Sequence, residues 1–560
     1  MQTLQKTNYP ALYTLVVVFF FWGFMAAGNN IFIPFCKEYF HLDQFQSQLI
    51  DFAFYTAYYV GAFLLFVIGN SKGKDLVMSW GYKKSIIFGL LFSTIGAIAM
   101  ILAVEADVYF GMLVGFFIVA LGFSLQQTAA NPFAISLGDE KTGASRVNLG
   151  GGINSLGTTV GPLIVAYALF GVTTAVTDNQ IKELSLDKVV LLYACVGLLF
   201  IGAATLFATS KKLPNIKTEE PFEKANKAVL LLSVMTVLLL VCMVPVFLSY
   251  KSDDFLLVES LKKQFALQPN EALESQIVTL LDSIEMQRMM WLSFALVAII
   301  GSLVYALLSA KKNTKGWGAM QYPQLVLGMI AIFTYVGVEV GVGSNLAELL
   351  KLPEFGGFSS SEVAPYVSMY WGSMMIGRWA GAVYAFHFEK IKERMLIIVM
   401  PILAFLVIIG ANFLMGYDVS HLYGYIACVI LQIVIILATK NHPSRTLFAC
   451  SVLGAISIIL GLNLEGYYAI YAFLTAGLAC SVIWPAIFNL ALMGLGKYTA
   501  QGSAFLVMMI LGGGIFPPIQ GKLADIIGIH NSYIVSLLCF VYLILFGFLV
   551  NKVLKRQNLL

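Results

Sequence analysis

The stretch Leu325–Leu350, LVLGMIAIFTYVGVEVGVGSNLAELL, decides the fold class. It runs without a charge as far as Glu339 and is long enough to cross a bilayer, which takes roughly 20 apolar residues, with about 17–25 as the working range. Working outward, about sixteen such runs occupy the chain, separated by polar loops. Tyr423–Ala438 and Leu447–Leu462 are short, so the count is roughly fourteen to sixteen. The first run, Ala11–Phe35, exceeds a signal-peptide core and reads as a retained span.

Composition agrees. The chain is 59% hydrophobic and 11% charged, with mean hydropathy +0.84, against about 45–50% apolar and about 25% charged in soluble proteins. So few charges cannot cover a soluble protein of 560 residues, whereas lipid can replace water around its perimeter. The net charge of +4 is spread over short loops rather than one stripe, so no nucleic-acid partner is expected. The seven cysteines are scattered without CxxC or Cys/His spacing, and the five histidines fall in or beside predicted loops. No disulfide framework, metal site, cofactor or enzymatic centre is expected.

The Lys/Arg bias of cytoplasmic loops sets orientation. With the N-terminus inside, Lys72, Lys74, Lys83, Lys84, Lys211, Lys212, Lys311, Lys312, Lys390, Arg394, Lys552 and Arg556 all face the cytoplasm, while Glu105, Asp107, Asp178, Glu354 and Asp418 face outward. Both termini are therefore predicted to be cytoplasmic. The long outer segment 249–290 carries Phe255, Leu256, Leu261, Phe265, Leu273, Ile277, Leu280 and Leu281 at near-helical spacing, which predicts a small amphipathic cap.

A weak internal repeat is visible. Asn131-Pro132-Phe133, then Asn154-Ser155-Leu156-Gly157 and Gly161-Pro162, parallel Trp484-Pro485-Ala486-Ile487-Phe488, then Gly512-Gly513-Gly514 and Pro517-Pro518. Parallel halves of this kind put a site near the midplane, on Gly/Pro-interrupted helices. Polar side chains inside spans must find partners or line a cavity. Asn29, Asn30, Gln126, Gln127, Thr128, Asn131, Asn154, Thr158 and Thr159 are such groups. Amides and hydroxyls both donate and accept, which suits a sugar, although hydrogen bonding between helices would equally employ them. Phe21, Trp22, Tyr55, Tyr58, Tyr59, Tyr335, Tyr370, Trp371 and Trp484 could stack on a sugar's C–H face or pack in the interface.

Two acids carry the ion-coupling expectation. Glu339 lies mid-span, where a charge costs roughly 2.5–3.5 kcal/mol on insertion scales. It could be protonated, hold a cation, bind substrate hydroxyls, or pair structurally with Arg378 on the next span. Asp51 begins the second span and reads either as an outer ion ligand or as a helix N-terminal acid. Arg146 opens the fifth span as a topology or gating salt bridge, and Arg378 either clamps a carboxylate or snorkels.

At these residues the chain resembles the fucose permease-like sugar:cation symporters of the major facilitator superfamily. The matching stretches are Phe21-Trp22 through Pro34, Thr128-Ala129-Ala130-Asn131-Pro132-Phe133, Asn154-Ser155-Leu156-Gly157, Tyr335-Val336-Gly337, Gly377-Arg378, Pro485-Ala486-Ile487-Phe488 and Gly512-Gly513-Gly514-Ile515, in the family's order. The resemblance implies an all-α membrane protein: twelve core helices in two six-helix bundles, working by alternating access. The expected layout is a bundle over 1–210, an inserted helix pair over 211–321 with 249–290 outside, and a second bundle over 322–560 with a further inserted pair within 395–462. Asn154 matches the family's substrate-contacting asparagine. Asn30 and Gln127 stand where the fucose permease has acids, so its proton route does not transfer simply. Glu339 matches the acid of the glucose/galactose relatives.

The expected protein is therefore a monomeric, multi-pass inner-membrane symporter taking fucose, glucose, galactose or a similar hexose, with proton or sodium as coupling ion and only sugar and lipid as partners. Asn30, Gln127, Asn131, Asn154, Tyr335 and Glu339 are the expected substrate residues. The rival readings are a membrane-embedded transferase, a sugar sensor without transport, and a carrier of amino sugars or other small polar nutrients.

Overall fold

The computed structural model describes residues 7–39, 44–171, 186–217, 224–440 and 442–560; side chains over 26–39 and 44–51 lie outside the described set. No strand occurs among the described residues. The helices are α1 Tyr9–Tyr39, α2 Gln44–Ser71, α3 Tyr82–Glu105, α4 Tyr109–Ser136, α5 Gly143–Phe170 and α6 Leu186–Thr209. Then come α7 Asn226–Ser249, α8 Asp253–Leu267, α9 Glu271–Lys312, α10 Pro323–Leu350, α11 Ser360–Ala382, α12 Lys390–Leu414, α13 Ile426–Thr439 and α14 Pro443–Asn463. The last are α15 Gly466–Cys480, α16 Ile483–Leu492, α17 Thr499–Met508, α18 Gly512–Ile527 and α19 Ile534–Arg556.

Among the described residues, thirteen helices or joined pairs are long and apolar enough to cross a membrane. Three more long helices stand beside them. In α1 the stretch Tyr9–Met25, where its side chains are described, is apolar, while α5 and α11 are 28 and 23 residues long and rich in Gly, Ser, Thr and Asn. With these, sixteen helical segments correspond to the sixteen apolar runs of the sequence.

The sequence repeat has a packing counterpart. In the first half α3 packs along α4 and α6, α1 along α5, and α2 along α4. In the second half α14 packs along α15 and α19, α10 along α18, and α11 along α15. Pro132 and Pro162 fall in α4 and α5, and Pro485 and Pro517 in α16 and α18, the positions that correspond under this pairing. Helices α12 and α13 have no counterpart in the first half; they sit against α11, α14 and α15.

Among the described residues the halves meet along two seams, α2 with α17 and α18 and α4 with α17, and α5 with α11 and α16. Contacts between them are dense toward the face where the chain begins and ends. There Tyr9 stacks on Phe386 at 5.7 Å, Tyr13 stacks on the same ring at 6.2 Å, and Phe66 meets Phe505 edge-on at 4.7 Å.

The pair α7 and α9 lies across the first seam. Helix α7 holds α2 through Tyr59 and Thr236, whose hydroxyls are 2.7 Å apart, and through Asn70, which donates to Asn226 at 3.0 Å. Helix α9 packs on α10 and α18. At 42 residues and about 1.5 Å per residue it is far longer than the roughly 30 Å of hydrocarbon. Its first turns therefore project and carry α8. Val258, Leu261, Ile277 and Ile284 form the small core of this cap. Val258 and Ile284 fill it where the spacing had suggested Leu256, which is 53% exposed. Inside the cap, Arg288 donates to Glu285 and to Ser249 and stacks 3.7 Å over Tyr250; Glu285 also pairs with Lys522 of α18.

Candidate substrate and ion site at the seam between the halves

Pro485 explains the centre of the molecule. It has no N–H, so the carbonyl four residues earlier, that of Ser481, receives no helical hydrogen bond. Helix α15 ends at Cys480 and α16 restarts at Ile483, leaving Ser481 at the break. Arg378 Nε donates to that carbonyl at 3.0 Å. The rest of the guanidinium spreads over four other groups. Nη1 donates to Ser155 Oγ of α5 at 2.7 Å and reaches the Gly151 carbonyl at 3.4 Å. Nη2 donates to the Tyr335 hydroxyl at 3.3 Å and lies 3.6 Å from Glu339 Oε1. Tyr335 in turn donates to Glu339 at 2.9 Å, and Tyr370 donates to the Glu339 backbone carbonyl at 2.8 Å.

This close approach of α11 to α5 needs glycine. A Cβ on Gly152 would stand 2.6 Å from Trp379 Cδ1, and Trp379 Nε1 donates to the Gly152 carbonyl at 3.2 Å. Small residues permit such backbone contact between membrane helices. Arg378 is thus a buried charge and Glu339 a half-buried one, each the other's counter-ion, 8% and 16% exposed. Among the described residues no group of His, Cys, Asp and Glu could hold a metal ion.

The expected substrate residues fall into four groups. Tyr335 and Glu339 meet at the seam, and Asn154 adjoins Ser155 there. The Asn154 Oδ1 is buried without a partner among the described residues and faces Gly23 of α1, where a Cβ would stand 2.6 Å from it. Gln127 is half-buried on α4 and donates to the Tyr58 hydroxyl of α2 at 3.2 Å. One turn from Tyr58, Tyr55 touches Gly513 of the other half. Asn131 behaves differently: it donates back to the Gln127 carbonyl of its own helix at 3.2 Å and is buried. Asn30 and Asp51 lie within α1 and α2, with side chains outside the described residues.

Other groups have structural partners. Trp22 donates to Gln126, which donates to Ser93, so this amide is committed within the first half. Arg146 is fully buried and donates to the carbonyls of Ala134, Ile135 and Asp139 and to the Thr142 hydroxyl. It staples the α4–α5 turn through carbonyls, where a salt bridge had been expected. Sequence reading missed Ser155 and Ser481. The carbonyl of Ser481 was recoverable from Pro485 by counting back four residues, and the approach at Ser155 from the run Gly150-Gly151-Gly152.

Two repeated half-molecules meeting at a midspan charge pair define a polytopic membrane carrier. Residues 15–439 match the Major Facilitator Superfamily, and the chain belongs to it. A glucose/galactose transporter of Brucella abortus is 30% identical over 98% of this chain and 97% of its own length. The L-fucose-proton symporter of Escherichia coli is 24% identical over 97% and 94%. A crystal structure of the E. coli fucose:proton symporter superposes with TM-score 0.61 over 97% of this chain and 99% of its own, at 19% identity. A POT family transporter in complex with a thioalcohol-conjugated peptide reaches 0.54 at 13% identity, covering 99% of each chain. The chain is thus a multi-pass α-helical membrane protein of the fucose permease-like branch.

Proposed function

We propose that this protein imports an uncharged monosaccharide, such as fucose, glucose or galactose, coupled to a cation by alternating access of two bundles. The observation that carries the reading is the connected set Ser155–Arg378–Tyr335–Glu339. It joins α5 of one half to α10, α11 and the α15–α16 break of the other. Alternating access needs a site at such a junction, formed by discontinuous helices, whose partners separate when the halves rock. The glucose/galactose and fucose carriers among the relatives support the substrate class.

The charges favour a neutral sugar over an amino sugar. Arg378 and Glu339 neutralise each other, and the remaining expected contacts, Gln127, Asn154 and Tyr335, are uncharged. A charged sugar would bring an unpaired charge into a medium where it is costly. Glu339, 16% exposed, is the candidate for the cation, either a proton or sodium.

In this reading 1–210 and 322–560 form the rocking bundles. The pair within 211–321 and the pair α12–α13 are additions, and both termini lie on the cytoplasmic side of the inner membrane. Uptake of D-glucose, D-galactose and L-fucose into proteoliposomes, with proton or sodium gradients, tests it. Accumulation of one of them, driven by one of these gradients, is expected. Purely downhill flux, or none, overturns the coupling or the substrate.

A further inference from the structure

We propose that Arg378 is a latch that prevents the cation-loaded, sugar-free carrier from crossing; this rests on the symport reading above. Its shortest contact, 2.7 Å, is to Ser155 in the opposite half, and its distance to Glu339 in its own half, 3.6 Å, is beyond a normal N–H···O bond. The guanidinium therefore spends its best hydrogen bond on holding the halves together at this seam. Trp379, the next residue, makes a parallel grip on the Gly152 carbonyl. When the seam opens, Nη1 loses both Ser155 and Gly151. A buried guanidinium cannot give up acceptors without replacement, so opening requires a new acceptor within reach.

Three states follow. In the empty carrier the Glu339 carboxylate, already adjacent, accepts the released Nη1, and the seam can part. In the fully loaded carrier the hydroxyls of a sugar bound at the seam supply acceptors in place of Ser155. With a cation on Glu339 and no sugar, the carboxyl is no longer an anionic acceptor and offers only a weaker neutralised oxygen, so Arg378 stays on Ser155. Empty and doubly loaded forms cross while the form carrying only the cation does not, which is the condition for tight symport. Ser155 and Arg378 are positioning residues in this scheme, and the substrate contacts remain those named above.

The test is cation flux in proteoliposomes, read with a pH-sensitive dye and with radioactive sodium, with and without D-glucose, D-galactose and L-fucose. The unmodified protein is expected to pass the cation only with a transported sugar. Ser155→Ala should raise sugar-free cation flux about tenfold or more, the factor that follows from losing one hydrogen bond to a charged group, and should lower the sugar-to-cation ratio. Ser155→Cys, nearly the same size with a weak acceptor, should do the same, whereas Ser155→Thr should restore tightness. A merely structural role would lower all fluxes together and leave the ratio alone. Tight coupling in both Ser155→Ala and Ser155→Cys would overturn the latch while leaving the symport reading intact. Absence of sugar-driven cation flux in the unmodified protein would overturn both.

Discussion

Removing Arg378 should damage this protein more than neutralising Glu339, and the two changes together should cost less than their sum. In Arg378→Ala the Glu339 carboxylate, 16% exposed, is left with the Tyr335 hydroxyl at 2.9 Å as its side-chain partner. Breaking a buried pair from one side costs about 3–5 kcal/mol. The opposite change is milder: in Glu339→Gln the guanidinium keeps Ser481 O, Ser155 Oγ, Gly151 O and Tyr335 Oη, and the new amide oxygen can still accept from Tyr335. A cost of about 1.5–3 kcal/mol is expected, the worth of one hydrogen bond to a charged group. Combining the two removes the orphaned carboxylate, so the double variant should recover about 1–3 kcal/mol relative to additivity. Reversible unfolding by dodecyl sulfate in mixed micelles measures all four proteins. Additive costs, or Glu339→Gln costing as much as Arg378→Ala, would refute the pairing.

Three further expectations follow from other parts of the molecule. Asn154→Ala and Gln127→Ala should each raise the KM for the transported sugar about 5- to 50-fold at normal expression, the worth of one or two hydrogen bonds; unchanged KM in both removes them from the site. Arg288→Ala in the cap orphans Glu285 in part and strips the cover from Tyr250, so limited proteolysis should cut near the α8–α9 junction at least several-fold faster. Asp75 lies in the loop after α2, in a crevice shared with Ala500, Gln501 and Ala504 of α17, and burial pushes its carboxyl up to about 6. A raised carboxyl favours the packed state when protonated, so its contribution is full below the ordinary value near 4 and fades as pH rises through about 6. The melting temperature should therefore fall between pH 5 and 7 by more in the unmodified protein than in Asp75→Asn, and equal falls would contradict this.

The number of spans was legible because apolar length reports directly on the bilayer, and the repeat was legible because proline and glycine mark the same helices in both halves. Arg378 as a partner of Glu339 was weighed from their adjacent spans. Its stronger link to Ser155 was not, because it joins residues 223 apart in sequence and depends on how the halves dock. Asn131 and Gln126 illustrate the opposite difficulty. A buried amide has the same sequence signature whether it serves a ligand, its own helix or a neighbour, and only the packing of the helices distinguishes Asn131 turning back to Gln127 O from Gln127 reaching Tyr58. Arg146 was placed at the correct end of its helix, but its carbonyl acceptors sit in a turn whose shape the sequence does not specify.

The most direct test of the central claim is sugar handling by Glu339→Gln in proteoliposomes. With the carboxylate gone, exchange of labelled for unlabelled sugar across the membrane should persist, while accumulation against a concentration gradient should cease whichever cation gradient is imposed. Accumulation equal to that of the unmodified protein would contradict a coupling role for the charge at the seam.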